Sequence, residues 1–265
     1  MHRYETRIAL DEVVIMNSFF VLNGKSVKQI LLVVIAAFFT ALFLFMSNLS
    51  LSPVFSTKDG PKAVYRGEKD IALTFNIGWG DEKAEPILDA LKKENVKSAT
   101  FFLAGSWAER HPDIVSRIVK EGFEIGILGY AYEDYTELED VNIGKDIAKA
   151  KEAFRKLNIN EIKLLRAPTG HFDERSLKIA ERYGYTVVHW SVDSKDWTNP
   201  GVNQIIANVK KADKGDIVLL HASDSAKQTA KALPGILHDL QSKGMKLVTV
   251  SELIANGVVE SKEIK

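Results

Sequence analysis

The 265-residue chain contains no cysteine. That absence excludes disulfides, thiolate catalysis and cysteine-ligated zinc. It has no charge excess either: lysine plus arginine and aspartate plus glutamate number 35 each. A balanced chain lacks the basic surplus that marks nucleic-acid binders, so no nucleic-acid partner is expected. Methionine is scarce at 4 residues, too few for a soft-metal function. No internal repeat and no second globular domain are visible, and the length suits one domain of roughly 200 residues with an accessory segment.

One long hydrophobic run is present. From Ile30 to Met46 every residue is apolar except Thr40. Extended to Leu51, the run approaches the ~20 residues a helix needs to cross a hydrocarbon core. Lys25 and Lys28 precede it, and no lysine or arginine follows until Lys58. The positive-inside rule then puts the N-terminus in the cytoplasm and everything after Leu51 outside. A cleaved signal peptide is the alternative. Its apolar core is normally shorter and ends in an Ala-x-Ala site, whereas Ser47-Asn48-Leu49-Ser50-Leu51-Ser52-Pro53 offers only a weak one. An uncleaved anchor is the preferred expectation, and a buried core helix the least favoured. Glu5, Asp11 and Glu12 sit oddly before such a signal, so Met16 is the expected start. The expected division is a cytoplasmic segment over 1–29, an anchor over 30–51, a linker over 52–62 and one domain over 63–265.

Within that domain a short edge strand is expected around 63–65, followed by a regular alternation. Apolar or β-branched runs occur at 71–76, 99–104, 123–128, 163–166, 186–192, 216–221 and 246–250. Amphipathic stretches with helical spacing occupy 82–94, 106–121, 143–157, 173–183, 202–212 and 229–242, with a last turn from Ser251. In 106–121, Trp107, Ile114, Val115, Ile118 and Val119 share one face and Glu109, Arg110, Arg117 and Lys120 the other, and Gly122 supplies a stop. Strands alternating with helices imply parallel strands and right-handed crossovers. About seven units predict an α/β fold, a distorted and incomplete (β/α) barrel, with an open doubly wound sheet as the alternative.

A parallel barrel carries its chemistry at the C-terminal ends of its strands. Those ends read Thr74-Phe75-Asn76-Ile77-Gly78, Leu128-Gly129-Tyr130-Ala131-Tyr132, Arg166-Ala167-Pro168-Thr169-Gly170, Asp193-Ser194-Lys195-Asp196-Trp197 and Leu219-Leu220-His221. An arginine, two aspartates, a tryptophan and a histidine converging on one mouth exceed what a structural rim needs. In order and spacing these stretches resemble the five motifs of the NodB-type polysaccharide deacetylases (carbohydrate esterase family four), over about residues 63–255. The likeness is greatest to sporulation-associated members of bacilli that also carry an N-terminal anchor.

The resemblance implies a NodB-type barrel, peptidoglycan or a related N-acetylated glycan as ligand, and metal-assisted hydrolysis of a non-peptide C–N amide bond. In that chemistry an Asp-His-His set holds a divalent, zinc-type metal, a second aspartate accepts a proton from water, and a histidine protonates the leaving amine. An arginine orients the base, and another aspartate orients the acid. Here Asn76 takes the base position, and Ile77, Leu128 and Tyr132 take the three ligand positions. Neutral asparagine is no base, isoleucine and leucine cannot ligate, and tyrosine ligates poorly unless deprotonated. No cofactor is therefore expected at the family positions. Arg166, Asp193, Asp196, Trp197 and His221 survive.

His221 reads as a positioned acid or as a satisfied rim histidine. Arg166 pairs with Asp193, binds a carboxylate or glycan oxygen, or forms a structural salt bridge. Trp79, Tyr130, Tyr132 and Trp197, with Thr169, suit a sugar-binding groove, although core packing explains many such rings. Asp81, Glu82, Glu133 and Asp134 with His171 or His221 suit an improvised metal site, or else cap helices. Two functions stay open: a hydrolase of N-acetylated glycans with reassembled catalysis, and a degenerate family member that binds a glycan or protein partner without turnover.

Overall fold

The computed structural model describes residues 24–48, 56–57, 60–256 and 260–262. The chain divides into two units, Met1–Ser52 and Pro53–Lys265. In the first, helix α1 (Gly24–Asn48) continues for 25 residues. It exposes Leu31, Leu32, Val33, Val34, Phe38 and Phe39. Among the described residues no helix is long and apolar enough to cross a membrane. The anchor expected over 30–51 runs past them, since the side chains at 42–48 lie outside that set. The expected start at Met16 lies outside it too.

The second unit opens with a minimal hairpin, β1 (Ser56–Thr57) and β2 (Gly60–Pro61), and then β3 (Ala63–Arg66). The repeating part comprises β4 (Ala72–Ile77), α2 (Ala84–Lys93), β5 (Thr100–Leu103), α3 (Gly105–Arg110), α4 (Pro112–Lys120), β6 (Glu124–Ile127) and α5 (Asp140–Lys156). It continues with β7 (Leu164–Leu165), α6 (Glu174–Arg182), β8 (Thr186–Val187), β9 (Val192–Asp193), α7 (Val202–Val209), β10 (Ile217–His221), α8 (Thr229–Ser242) and α9 (Val250–Ala255). β11 (Glu260–Lys262) closes the described chain, antiparallel to β3.

Seven strands form one sheet in the order β8-β7-β6-β5-β4-β10-β9, and the recorded pairings within it are parallel. The two edge strands, β8 and β9, are consecutive in the chain and separated only by residues 188–191. Such a link reaches at most roughly 17 Å. The edges of a flat seven-stranded sheet would lie roughly 29 Å apart. The sheet must therefore curl into an incomplete barrel. β3 lies across the opening: Val64 bridges Val188 in parallel and Arg66 bridges Asp216 antiparallel.

Alternation along β4 separates two cores. Leu73, Phe75 and Ile77 join the large cluster that packs the helices, including Ile87, Leu88 and Leu91 of α2. Ala72 belongs to a smaller cluster with Phe102, Leu128, Val188 and Val248. Buried Thr74, Asn76 and Arg166 lie among these strands as polar exceptions.

Three elements differ from expectation. The helix foreseen over 106–121 is two helices, because Pro112 forces His111 out of the helical region (φ −126°, ψ 52°). The strand foreseen over 186–192 is split between the two sheet edges. The run at 246–250 forms no strand. It contributes one bridge, Ile71 to Leu247, before Thr249 caps α9 by accepting from the Glu252 amide.

Candidate active-site cleft

At the C-terminal mouth of the barrel lies a cleft of about 360 Å³, lined by Asn76, Trp79, Tyr132, Thr169, Trp190, Asp193, Trp197, Leu219, His221, Ser223 and Ser225. Trp79 and Trp197 are 50% and 51% exposed. Large rings so poorly covered in the free protein are available to stack on a ligand.

Its best-defined part is a histidine–aspartate pair. His221 ends β10, and Asp196 begins a short 3₁₀ turn after Lys195, whose left-handed backbone (φ 54°) turns the chain inward. Asp196 is fully buried. Its Oδ1 lies 2.8 Å from His221 Nδ1. Its Oδ2 accepts from the His221 amide at 2.8 Å and from Thr229 Oγ1 at 2.7 Å. A carboxylate only accepts, so Nδ1 carries the proton and Nε2 is left for the cleft. Asp193 plays no part in this: its side chain accepts from the Lys195 amide at 2.8 Å.

Arg166 is fully buried. Neither Asp193 nor another carboxylate is its partner among the described residues. Its Nη1 donates to Thr74 Oγ1 and Asn76 Oδ1, both at 2.9 Å. Nη2 donates to the His189 carbonyl at 2.9 Å and Nε to the Val188 carbonyl at 3.2 Å. The guanidinium lies 4.0 Å from the Phe102 ring centroid. Burial without a carboxylate pulls its pKa down to about 9. The salt-bridge reading fails because the partner position holds a neutral amide.

The ligand positions of the first half are filled with hydrocarbon. Ile77 and Leu128 are fully buried in the helix-facing and smaller clusters respectively. Tyr132 adopts φ 62°, and its ring lies so close to Gly78 that a Cβ there would meet it at 2.8 Å. Burial raises the Tyr132 phenol above its ordinary value, which disfavours the phenolate a metal would need. These residues do not fit a divalent cation.

Of the substitutes suggested by sequence, only Asp134 and His171 come together, and the others are apart from them. Asp81 faces His111 at 2.8 Å, and Asp134 faces His171 at 2.5 Å. Glu82 pairs with Lys83, and Glu133 is exposed. Although burial opposes it, Thr136 and His171 hold the Asp134 carboxyl down to about 2. Among the described residues no three such groups converge for a metal. Asp81 and Glu82 do not cap α2 either. Instead Asp224, in the loop after β10, accepts the amides of Asp81, Glu82 and Lys83 at 3.0, 2.9 and 3.0 Å and fixes the turn that leads into α2. That clamp ties the Trp79 loop to the His221 loop.

Tyr130 does not line the cleft. Its hydroxyl donates to Glu109 at 2.9 Å, and Lys149 covers its ring. Sequence reading missed Trp190, Ser223 and Ser225. Trp190 stacks on His189 at 3.7 Å between centroids. Ser223 Oγ accepts from the Gly78 amide at 3.1 Å. Ser223 and Ser225 lie two and four residues after His221, so a strand-end reading carried four residues further would have found both.

A family model described as Polysaccharide deacetylase matches residues 63–188. Over 195 residues the chain is 38% identical to a peptidoglycan-N-acetylglucosamine deacetylase of Bacillus cereus, spanning 72% of this chain and 91% of that protein. Among solved structures, a CE4 family pseudoenzyme from Bacillus anthracis superposes with a TM-score of 0.68 at 30% identity, over 74% of this chain and 69% of that one. A peptidoglycan N-acetylglucosamine deacetylase, Bc1960, superposes with a TM-score of 0.66 at 32% identity, over 71% and 91%.

Proposed function

The chain belongs to the polysaccharide deacetylase family, and we propose that its cleft engages an N-acetylated glycan of the cell envelope, with peptidoglycan as the substrate class. One observation carries this reading: two half-exposed tryptophans flank a histidine held by a fully buried aspartate, in the cleft where the barrel ends. Aromatic faces suit sugar faces, and the histidine gives the cleft one oriented polar group.

The family's divalent metal would activate water and polarise the amide carbonyl, but the residues at the three ligand positions do not fit one. No step is routed through it. Asn76 occupies the base position, so nothing there takes a proton from water. The balance of the site favours recognition without turnover. Hydrolysis is the second reading, favoured by the intact His221–Asp196 pair, which suits protonation of a leaving amine.

The two are separated by incubating the full chain in detergent with insoluble peptidoglycan. Recognition predicts retention that a Trp79→Ala, Trp197→Ala double variant loses, and no released acetate. Acetate release abolished by His221→Ala would establish hydrolysis instead. Failure of the wild-type chain to sediment with peptidoglycan would end both.

The setting is part of the same reading. α1 is proposed to be an uncleaved anchor, with the barrel outside the cytoplasmic membrane. The apolar run 30–46 and the lysines before it support this. The finer likeness, to the sporulation-associated PdaB of bacilli, rests on that anchor and the five motifs. Alkaline extraction and protease accessibility in sporulating cells test it: release by carbonate, or protection of the barrel domain in intact cells, would refute the placement.

A further inference from the structure

Asn76 is more than a missing base. Its amide has a fixed polarity, which follows from what holds it. Arg166 Nη1 donates to the Asn76 side chain at 2.9 Å. A guanidinium has five N–H donors and no acceptor, so it can face only the oxygen of an amide. Oδ1 is thereby pinned towards the buried arginine, and Nδ2 points its two hydrogens elsewhere. Among the described residues no protein group accepts them. Yet Asn76 is only 5% exposed, and it lines the cleft.

Nδ2 is accessible from the cleft, so a ligand acceptor would take the place of water on a donor that no protein group uses. This one stands beside His221, its register partner on the neighbouring strand. Where the family resemblance places a carboxylate acceptor, this chain offers a neutral donor. We propose that Asn76 Nδ2 donates to the carbonyl oxygen of the ligand's acetamido group, so that the cleft selects the acetylated glycan over its de-N-acetylated counterpart. The proposal rests on the glycan reading above and specifies its ligand.

Two features make the donor selective. The Arg166 cation behind it has no carboxylate to neutralise it, so its charge polarises the amide and strengthens the donor. The same charge disfavours the ammonium group that deacetylation would leave. An acetamide brings an acceptor to this point, whereas an ammonium brings only donors and a like charge.

The test titrates the full chain in detergent with a tetramer of N-acetylglucosamine and a tetramer of glucosamine, for wild type and Asn76→Asp. Wild type is expected to bind the acetylated tetramer at least about ten-fold more tightly. The variant turns the donor into an acceptor and gives Arg166 a counter-charge, so it should fold. It should lose about ten-fold for the acetylated tetramer and nothing for the other. In ¹⁵N-edited spectra the Asn76 side-chain NH₂ resonances should shift with the acetylated tetramer alone. Equal affinities of wild type and variant for the acetylated tetramer, with unmoved NH₂ resonances, would overturn the donor role and leave the glycan reading standing. Failure of wild type to bind either tetramer would overturn both.

Discussion

The two halves of the cleft are built in opposite ways. On one side, at the ends of β4 and β6, Ile77 and Leu128 are absorbed into hydrophobic clusters and Tyr132 lies against Gly78. On the other, at the ends of β7, β9 and β10, the polar groups are richly bonded. Asp196 accepts three hydrogen bonds and Arg166 donates four. A half without metal ligands stands beside a fully ordered polar half. Isoleucine and leucine satisfy a barrel as well as any residue, whereas a buried arginine or aspartate persists only while each partner is present. Inside the cleft Asn76 joins the halves through Arg166, and at the rim Ser223 and Asp224 join them through the amides of Gly78 and residues 81–83.

Breaking the polar half should therefore cost far more than altering its rim. Arg166→Lys keeps the charge and loses the fork. One ammonium has three donors for Thr74, Asn76 and the carbonyls of Val188 and His189, so at least one buried acceptor is stranded and about 2–3 kcal/mol of stability should be lost. A urea midpoint unchanged from wild type would show that the fork is dispensable. Asp196→Ala comes next. It strands the His221 amide and the Thr229 hydroxyl and frees the His221 ring, at about 2–3 kcal/mol. The comparison is Asp193→Ala, whose only side-chain hydrogen bond among the described residues is to the nearby exposed Lys195 amide, and which should move stability by less than about 0.5 kcal/mol.

A pH titration sharpens the same contrast without mutation. His189 lies behind the cleft, stacked on Trp190, and burial pushes its pKa down to about 4 from an ordinary value near 6.5. Between those values the unfolded chain binds the proton and the folded chain does not, so stability rises with pH across that window. It is lost as pH falls from about 6.5 to 4, by up to about 3 kcal/mol. Asp134, held at about 2, gives up its contribution only below its ordinary value of 3.8 and so leaves most of the window clear. Urea unfolding from pH 4 to 7 should show the slope in wild type and a flatter line in His189→Gln. Parallel curves would sink the assignment to His189.

Much of this was legible in the sequence because strand ends and motif spacing are local. Arg166, Asp196, Trp197 and His221 were named from five short stretches, and the replaced ligands at Ile77, Leu128 and Tyr132 were evident from residue chemistry. What failed depended on three-dimensional partners. Asp193 and Asp196 look equivalent in sequence, and only the inward turn after Lys195 separates them. Asp81 reads as a cap for α2, but α2 has no side-chain cap, and Asp224, 143 residues further on, holds the amides of the turn before it. Tyr130 and Tyr132 differ in which way the loop faces, because Asp146 of α5 accepts the Tyr130 and Ala131 amides at 2.8 and 2.9 Å and fixes it. The split of 186–192 between two sheet edges follows from barrel closure, which no period-two pattern records.

The smallest expected effect on the fold concerns the cleft's outer wall. Trp79 and Trp197 are half exposed, so replacing either with alanine removes little buried surface and should change stability by less than about 0.5 kcal/mol. Their loss should instead weaken glycan retention by about five- to ten-fold each, the scale of a single aromatic contact. Tyr130 is the internal comparison: its ring is covered by Lys149 and its hydroxyl bonded to Glu109. Tyr130→Phe should leave retention unchanged and remove only one peripheral hydrogen bond. A matched loss in Tyr130→Phe would mean that the loop bearing Tyr132 reorganises around the ligand. The hydrocarbon half of the cleft would then be the part that moves.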